Sequence, residues 1–182
     1  MENLVEKANI LIEALPYIKK FRGKEIVIKY GGSTMENEAM RKHILSDLVF
    51  MNYVGIRPIL VHGGGPAISK AMKEQGLTPK FIDGHRVTDK DTIDLVAKSL
   101  ADINKEIVHE INHIGARAIG LSGYHNEILN VVKRQEGGRD LGYVGDITSV
   151  NIMPIKELTE FNIIPVIYPI GIDENNEMYN VN

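Results

Sequence analysis

The sequence predicts an α/β fold, a three-layer αβα sandwich in which helices cover both faces of a mainly parallel central sheet. Segments with helical periodicity alternate with short apolar runs along the chain. The early runs are continuously apolar, which is typical of parallel strands buried on both faces. Two later segments flank a glycine pair and predict an antiparallel hairpin inserted into this plan.

Each element follows from its local pattern. Residues 3–20 carry apolar side chains at helical spacing, and Pro16 should kink this helix. Further helices are predicted over 36–54, over 66–75, from Thr88 or Asp89 to His113, and over 154–161. Strands are predicted over 25–30, 57–62, 116–121 and 163–168, and the hairpin joins 127–134 to 142–150 through Gly137-Gly138.

Composition narrows the class of protein. The chain has 182 residues, the usual size of one domain, and a net charge of −3, so it lacks the basic footprint of a nucleic-acid-binding protein. It contains no cysteine, which excludes disulfides and thiolate catalysis and suits a reducing cytoplasm. No apolar stretch is long enough for a membrane span, and Met1 is not followed by a secretion signal. We therefore expect a cytoplasmic protein.

Two glycine clusters end neighbouring strands and predict an anion site. They are Lys29-Tyr30-Gly31-Gly32-Ser33 and His62-Gly63-Gly64-Gly65-Pro66. Loops after parallel strands gather at one edge of the sheet, where glycine lets backbone N–H groups approach an anion and Lys29 could add its charge. The alternative is that the glycines only make tight turns. Neither a Walker loop nor a G-x-G-x-x-G turn is present.

Arg86 lies in Gly84-His85-Arg86-Val87-Thr88-Asp89, just before the long helix. Arginine binds a carboxylate through two parallel hydrogen bonds, so a loop arginine near the glycines could anchor an acidic substrate. The alternative is a solvated or salt-bridged surface arginine, which is the common situation for this residue type.

The segment His109-Glu110-Ile111-Asn112-His113 matches the H-E-x-x-H pattern of zinc proteases. On the helical wheel, however, His109 and His113 fall opposite the apolar stripe that includes Leu100 and Ile107. We therefore expect both histidines on the solvated face, and we predict no metal site in the chain.

The motifs together resemble those of the N-acetyl-L-glutamate kinases of the amino-acid kinase superfamily, from one end of the chain to the other. The segments that carry the likeness are Ile28-Lys29-Tyr30-Gly31-Gly32, Val61-His62-Gly63-Gly64-Gly65-Pro66, Gly84-His85-Arg86-Val87-Thr88-Asp89, Leu141-Gly142-Tyr143-Val144-Gly145 and Tyr179-Asn180-Val181-Asn182. Each segment is weak evidence alone, whereas their order and spacing are specific.

The resemblance implies roles for particular residues. Arg86 would hold the α-carboxylate of N-acetylglutamate, and Lys29 would stabilise the transferring phosphoryl group. The remaining expected site residues are Gly64, Gly65, Asn180 and Asn182 for the substrate and Gly31, Gly32 and Gly63 near the phosphates.

The resemblance also implies an organisation. Residues 1–23 would be a helix for oligomerisation and residues 24–182 the acetylglutamate-binding lobe, whereas the C-terminal lobe that binds ATP is expected to be missing. The parent enzyme would use ATP and Mg²⁺ in arginine biosynthesis and form a homodimer, or a hexamer through the N-terminal helix, with arginine as a feedback inhibitor. This chain would bind substrate and oligomerise without turnover.

Two alternatives remain at this stage. The parent could be another member of the superfamily, such as a glutamate 5-kinase, an aspartokinase or a carbamate kinase. The chain could also be a non-catalytic binding and oligomerisation module.

Overall fold

The computed structural model describes residues 2–35, 37–137 and 139–182. The helices of these ranges are α1 (Glu2–Phe21), α2 (Glu38–Tyr53), α3 (Gly65–Glu74), α4 (Lys90–Ile114) and α5 (Met153–Glu160), with a 3₁₀ turn at Gly32–Met35. The strands are β1 (Glu25–Tyr30), β2 (Arg57–His62), β3 (Phe81–Ile82), β4 (His85–Arg86), β5 (Ala118–Ser122), β6 (Leu129–Glu136), β7 (Arg139–Val150), β8 (Ile164–Tyr168), β9 (Ile170–Ile172) and β10 (Met178–Val181).

A parallel sheet with the strand order β1-β2-β8-β5 forms the centre of the fold and confirms the predicted α/β class. Tyr30 lies opposite His62 in the register of β1 and β2, so both strands end at the same level. The amide N–H of Gly63 donates a hydrogen bond to the carbonyl oxygen of Tyr30 at 2.9 Å. The two glycine clusters therefore start side by side at the carboxyl edge of the sheet.

Helices cover both faces of this sheet, but unequally. On one face α2 and α4 bury a core that includes Leu45, Leu60 and Ile107. Each such buried side chain contributes about 1.5–3 kcal/mol relative to an exposed one. On the opposite face α5 packs over β2 and β8, whereas Val27 of β1 stays 66% exposed. The uncovered part of β1 becomes the floor of a cleft.

The hairpin of β6 and β7 is antiparallel, as predicted, and belongs to a small closed group of strands in the order β10-β7-β6-β9. Gly137 lies in its turn, and Gly138 lies outside the described residues. Strand β10 pairs in parallel with β7 and antiparallel with β9. The sequence did not predict β3, β4, β9 and β10, because runs of two to four residues are too short to show a period.

The structure settles the start of the longest helix. The side chain of Asp89 accepts a hydrogen bond from the Thr92 amide at 2.9 Å, so Asp89 caps α4. Thr88 is buried and instead bonds to the hairpin. Helix α1 continues through Pro16, and most of its large apolar side chains are exposed; the predicted kink stays a prediction. Among the described helices, none is both long and apolar enough to cross a membrane.

Candidate functional site

A cleft of about 1160 Å³ lies over the α5 side of β1 and β2 and extends to their carboxyl ends. Side chains alternate between the faces of a strand, so Lys29 points into this cleft while Ile28 and Tyr30 join the core beneath α2 and α4. Every predicted site residue borders the cleft: Lys29, Gly31, Gly32, Gly63, Gly64, Gly65, Arg86, Asn180 and Asn182. The structure thus brings them together, while their individual roles stay predictions.

The charge in the cleft is uneven. Among its described lining residues, Glu25 is the single carboxylate, and it starts β1 four residues before Lys29, which corresponds to about 13 Å along the strand. Its Oε1 accepts a hydrogen bond from the Thr159 hydroxyl at 3.1 Å. Within the described part of the chain, the carboxyl-end rim therefore carries Lys29 and Arg86 without a nearby lining acid, and Lys156 adds a further cation. This rim is suited to an anionic ligand.

Arg86 is held in place by the small hairpin of β3 and β4. Residue Phe81 pairs with Arg86 across the hairpin, and the guanidinium lies over the Phe81 ring at 4.7 Å from its centre. The Arg86 Nη2 atom donates hydrogen bonds to Ser69 Oγ at 2.8 Å and to the Gly65 carbonyl oxygen at 3.1 Å, and Nη1 lies 3.1 Å from Met72 Sδ. The arginine is therefore tied to the glycine turn and to α3.

Arg86 is a buried cation without a counter-charge among the residues that the structure describes. It is only 6% exposed, and none of the ion pairs among the described residues includes it. Burial lowers the pKa of its guanidinium, which nevertheless stays charged because its ordinary value is so high. The solvated surface arginine considered from the sequence is thus wrong for Arg86. A buried unpaired charge is costly, so this position favours an anionic ligand.

The large hairpin supports the segment that carries Arg86. The amide of Thr88 donates to the carbonyl oxygen of Leu141 at 2.9 Å, and the amide of Tyr143 donates to the carbonyl oxygen of Thr88 at 2.6 Å. Gly142 lies between Leu141 and Tyr143 and has a φ of +75°. A Cβ atom at this position would lie 2.1 Å from the carbonyl oxygen of Thr88. Only glycine permits this close approach.

The second glycine turn presents free backbone donors. Gly64 is the N-cap of α3 and supplies no side-chain cap, and Pro66 follows in the first helical turn. Within the described ranges, no carbonyl accepts a hydrogen bond from the amides of Gly64 or Gly65. Unsatisfied N–H groups at a helix N-terminus are suited to binding an anion.

The last strand closes the far side of the cleft. Asn180 in β10 is paired with both Val144 and Ile170, and the Val181 amide donates to the Pro169 carbonyl oxygen at 3.0 Å. Beyond it, Asn182 Nδ2 lies 3.2 Å from His85 Nδ1. Asn182 is thus placed against the hairpin that carries Arg86, whereas Asn180 borders the cleft from its position between β7 and β9.

Several neighbours of the site were not predicted. Ser69 and Phe81 contact Arg86, and His62 and Asn104 lie buried behind the glycine turn. Ser69 stands one helical turn after Gly65, a spacing that could have suggested it. The others are contacts between distant segments, for which the sequence has no local signal.

The structure offers no metal site in the part of the chain it describes, where no three His, Cys, Asp or Glu side chains form a group suited to an ion. His109 and His113 are both exposed, as their helical phase predicts, and their rings stack with centroids 6.4 Å apart. We therefore assign no residue to Mg²⁺.

The sequence is similar to those of known proteins along its whole length. The family model described as amino acid kinase family matches residues 24–182. Acetylglutamate kinase of Campylobacter jejuni is 46% identical over 182 residues, 100% of this chain and 64% of that protein. Acetylglutamate kinase of Caldanaerobacter subterraneus is 49% identical over 177 residues, 97% of this chain and 59% of that protein. The chain therefore spans about 64% or less of the length of these relatives.

Two solved structures share the fold. The protein smu.665 from Streptococcus mutans has a TM-score of 0.78 and 31% identity, over 86% of this chain and 63% of its own. N-acetylglutamate synthase from Neisseria gonorrhoeae, solved with coenzyme A and N-acetyl-glutamate, has a TM-score of 0.81 over 94% of this chain and 39% of its own. Its 22% identity supports a likeness of fold only.

Proposed function

Because the chain belongs to the amino acid kinase family, we propose that it is the acid-binding lobe of an acetylglutamate kinase. Such an enzyme transfers the γ-phosphate of ATP to the side-chain carboxylate of N-acetyl-L-glutamate. The names of the curated relatives support this substrate. The observation that carries the proposal is the buried Arg86 guanidinium, which has no carboxylate partner among the described residues and faces the same cleft as Lys29.

Arg86 binds the α-carboxylate of the substrate in this proposal. Three of its five N–H donors are used by Met72, Ser69 and Gly65, which fixes the plane of the guanidinium before a ligand arrives. A preorganised guanidinium loses little entropy on binding. The free amides of Gly64 and Gly65 and the side chain of Asn180 hold the remaining polar atoms, and Asn182 borders the pocket.

The chemistry needs no general base. The acceptor carboxylate has an ordinary pKa of about 4.3 and is ionised at neutral pH. The barrier lies in bringing it to an anionic phosphate and in bearing the charge of the transition state. Lys29 supplies positive charge at the end of β1, and the amides of Gly32 and of the second glycine turn supply further donors. ATP would bring the phosphoryl group together with Mg²⁺, and the described residues contain no group of three His, Cys, Asp or Glu side chains that could hold the ion by themselves.

The 182-residue chain, which spans about 64% or less of the length of the named kinases, would by itself bind the substrate without turning it over. It would form a homodimer, or a hexamer through α1, whose exposed apolar side chains support an oligomerisation role. Arginine as a feedback inhibitor and a cytoplasmic location are part of the same proposal.

The test is a substrate comparison on the parent protein. With MgATP, it should phosphorylate N-acetyl-L-glutamate and should discriminate strongly against L-glutamate, which lacks the acetyl group. Preference for L-glutamate, aspartate or carbamate would overturn the acetylglutamate assignment in favour of another kinase of the family. Calorimetry on the 182-residue chain should detect binding of N-acetyl-L-glutamate and no binding of ATP.

A further inference from the structure

We propose that Asn104 and His62 are positioning residues, which together fix the peptide between Gly63 and Gly64 and so aim the Gly64 N–H away from the core and toward the cleft. We call the hydrogen bonds that link Asn104, His62 and the Gly63 carbonyl the relay. Its geometry does not depend on the proposed function, whereas the identity of the ligand that the Gly64 N–H would bind rests on that function. Asn104 does not line the cleft, and His62 borders it but is only 1% exposed, so both act through the glycine turn.

The relay is a continuous chain of buried hydrogen bonds. His62, the last residue of β2, is 1% exposed, and its Nδ1 lies 2.9 Å from the Gly63 carbonyl oxygen. Its Nε2 lies 3.1 Å from Nδ2 of Asn104, which comes from the middle of α4. The same Asn104 nitrogen donates to the carbonyl oxygen of Val166 in β8 at 2.8 Å. The long helix is thereby joined to the glycine turn through the sheet.

The direction of every bond in the relay is determined. The Gly63 carbonyl can only accept, so Nδ1 of His62 must carry the proton. In a neutral ring Nε2 is then the acceptor for one N–H of Asn104, and the other N–H donates to Val166. A protonated ring would direct a second N–H against the Asn104 donor. Burial, which lowers the pKa of His62 more than the bond to Gly63 raises it, also favours the neutral ring.

The geometry of the peptide bond determines where the Gly64 N–H points once the Gly63 carbonyl is held by His62. The C=O of Gly63 and the N–H of Gly64 belong to one planar trans peptide, so they point in opposite directions. Holding the carbonyl against His62 therefore directs the Gly64 N–H away from the buried ring. The turn is also anchored on a second side, because the Gly63 amide donates to the Tyr30 carbonyl oxygen.

Helix α4 presses on the turn from behind. A Cβ atom on Gly64 would lie 2.8 Å from Ile103 Cδ1 and 2.9 Å from Leu100 Cδ2, so the turn already rests against these side chains. The peptide can therefore not retreat toward the helix. The turn is therefore held on its buried side both by packing against α4 and by the hydrogen bonds of His62 and Asn104.

Space for the relay is provided by Gly120 in β5. A Cβ atom there would lie only 1.9 Å from Oδ1 of Asn104, so a larger residue would displace the Asn104 side-chain amide.

An alternative explanation is that Asn104 only joins α4 to the sheet, as Asn112 does through two hydrogen bonds to Ala118. Asn112 is on the same helix but has no link to the glycine turn, which makes it the matched control.

The first experiment needs no variant. Long-range ¹H–¹⁵N NMR spectra of the 182-residue chain at pH 7 report the tautomer of each imidazole. The relay requires a neutral His62 with the proton on Nδ1. A proton on Nε2, or a charged ring, would overturn the proposal even if the ligand assignment is correct.

The second experiment compares variants by the amide resonances of Gly64 and Gly65. In His62→Asn the side-chain amide nitrogen lies near the position of the imidazole Nδ1. In His62→Gln it lies near the position of Nε2, which leaves the Gly63 carbonyl without a donor. We expect His62→Gln, Asn104→Ala and Gly120→Ala to shift both resonances and to raise their hydrogen-exchange rates. His62→Asn should preserve them better than His62→Gln, and Asn112→Ala should leave them unchanged.

The third readout is the affinity of the same variants for N-acetyl-L-glutamate by calorimetry. Loss of one positioned amide should weaken binding by about tenfold in His62→Gln and Asn104→Ala, with Asn112→Ala unaffected. If the unsubstituted chain binds no N-acetyl-L-glutamate while the NMR results hold, the proposed function fails and the relay stands. Unchanged Gly64 and Gly65 resonances in folded Asn104→Ala and His62→Gln would refute the relay.

Discussion

Arg86 Nη2 donates a hydrogen bond to the carbonyl oxygen of Gly65 at 3.1 Å, which joins the arginine hairpin to the glycine turn. Because Gly65 begins α3 and Ser69 lies one turn later, a single guanidinium edge is held by consecutive turns of one helix. The residue proposed to recognise the substrate and the donors beside it are therefore positioned as one unit.

The first prediction concerns Arg86. Arg86→Lys keeps the charge but loses the planar guanidinium that Ser69 and Gly65 hold in place, so the affinity for N-acetyl-L-glutamate should fall by about 10- to 100-fold. Calorimetry on the 182-residue chain measures it. Ser69→Ala, which removes one support of the guanidinium and leaves the charge, should cost less. Equal affinity in Arg86→Lys and the unsubstituted chain would remove Arg86 from the site.

The second prediction separates binding from catalysis. Lys29→Ala in the parent protein should lower kcat by about 100- to 1,000-fold, because the proposed function makes Lys29 a donor that acts mainly on the transition state. KM for N-acetyl-L-glutamate should change only a few-fold on the same reasoning. Steady-state kinetics measures both constants, with Lys24→Ala as the control, since Lys24 is exposed and does not line the cleft. A large rise in KM at constant kcat would contradict the assigned role.

The third prediction concerns the support of the Arg86 segment. Gly142→Ala should destabilise the fold by roughly 2–4 kcal/mol, because it strains a φ of +75° and drives a Cβ against the Thr88 carbonyl. Gly76→Ala is the matched control, since Gly76 has the same φ and open space around it, and should cost only about 1 kcal/mol. Urea unfolding compares the two, and equal losses would show that the hairpin contact contributes nothing.

The fourth prediction uses pH. Burial lowers the pKa of His62 below 6.5 in the folded chain, so the unfolded chain takes up its proton first as the pH falls. The stabilising contribution is complete above pH 6.5 and is lost on acidification, with a slope of at most about 1.4 kcal/mol per pH unit. His62→Asn should flatten the dependence between pH 7 and pH 5 in denaturant titrations. A profile identical to that of the unsubstituted chain would contradict the neutral, buried imidazole.

Local patterns were sufficient to predict the main elements. β1 and β2 are continuous apolar runs that end in glycine, and α4 has a strict apolar stripe, so their positions followed from periodicity and capping. The shared edge of parallel strands then placed Lys29 beside the glycine turns. These inferences needed only the residue pattern within each segment and the geometry of a parallel sheet.

Contacts between distant segments could not be predicted in this way. His62 and Asn104 are 42 residues apart, and Arg86 and Ser69 are 17 apart, so no local period relates them. β9 and β10 are stabilised by their partners in the closed strand group and not by their own few residues. Such features depend on tertiary packing, which overrides local preference.

The most direct measurement is a crystal structure of the 182-residue chain with N-acetyl-L-glutamate. We expect the α-carboxylate of the ligand within hydrogen-bonding distance of the Arg86 guanidinium, with the amides of Gly64 and Gly65 donating to the same molecule. A ligand bound elsewhere, or bound in the cleft with the Arg86 guanidinium contacting no anionic group, would contradict this expectation.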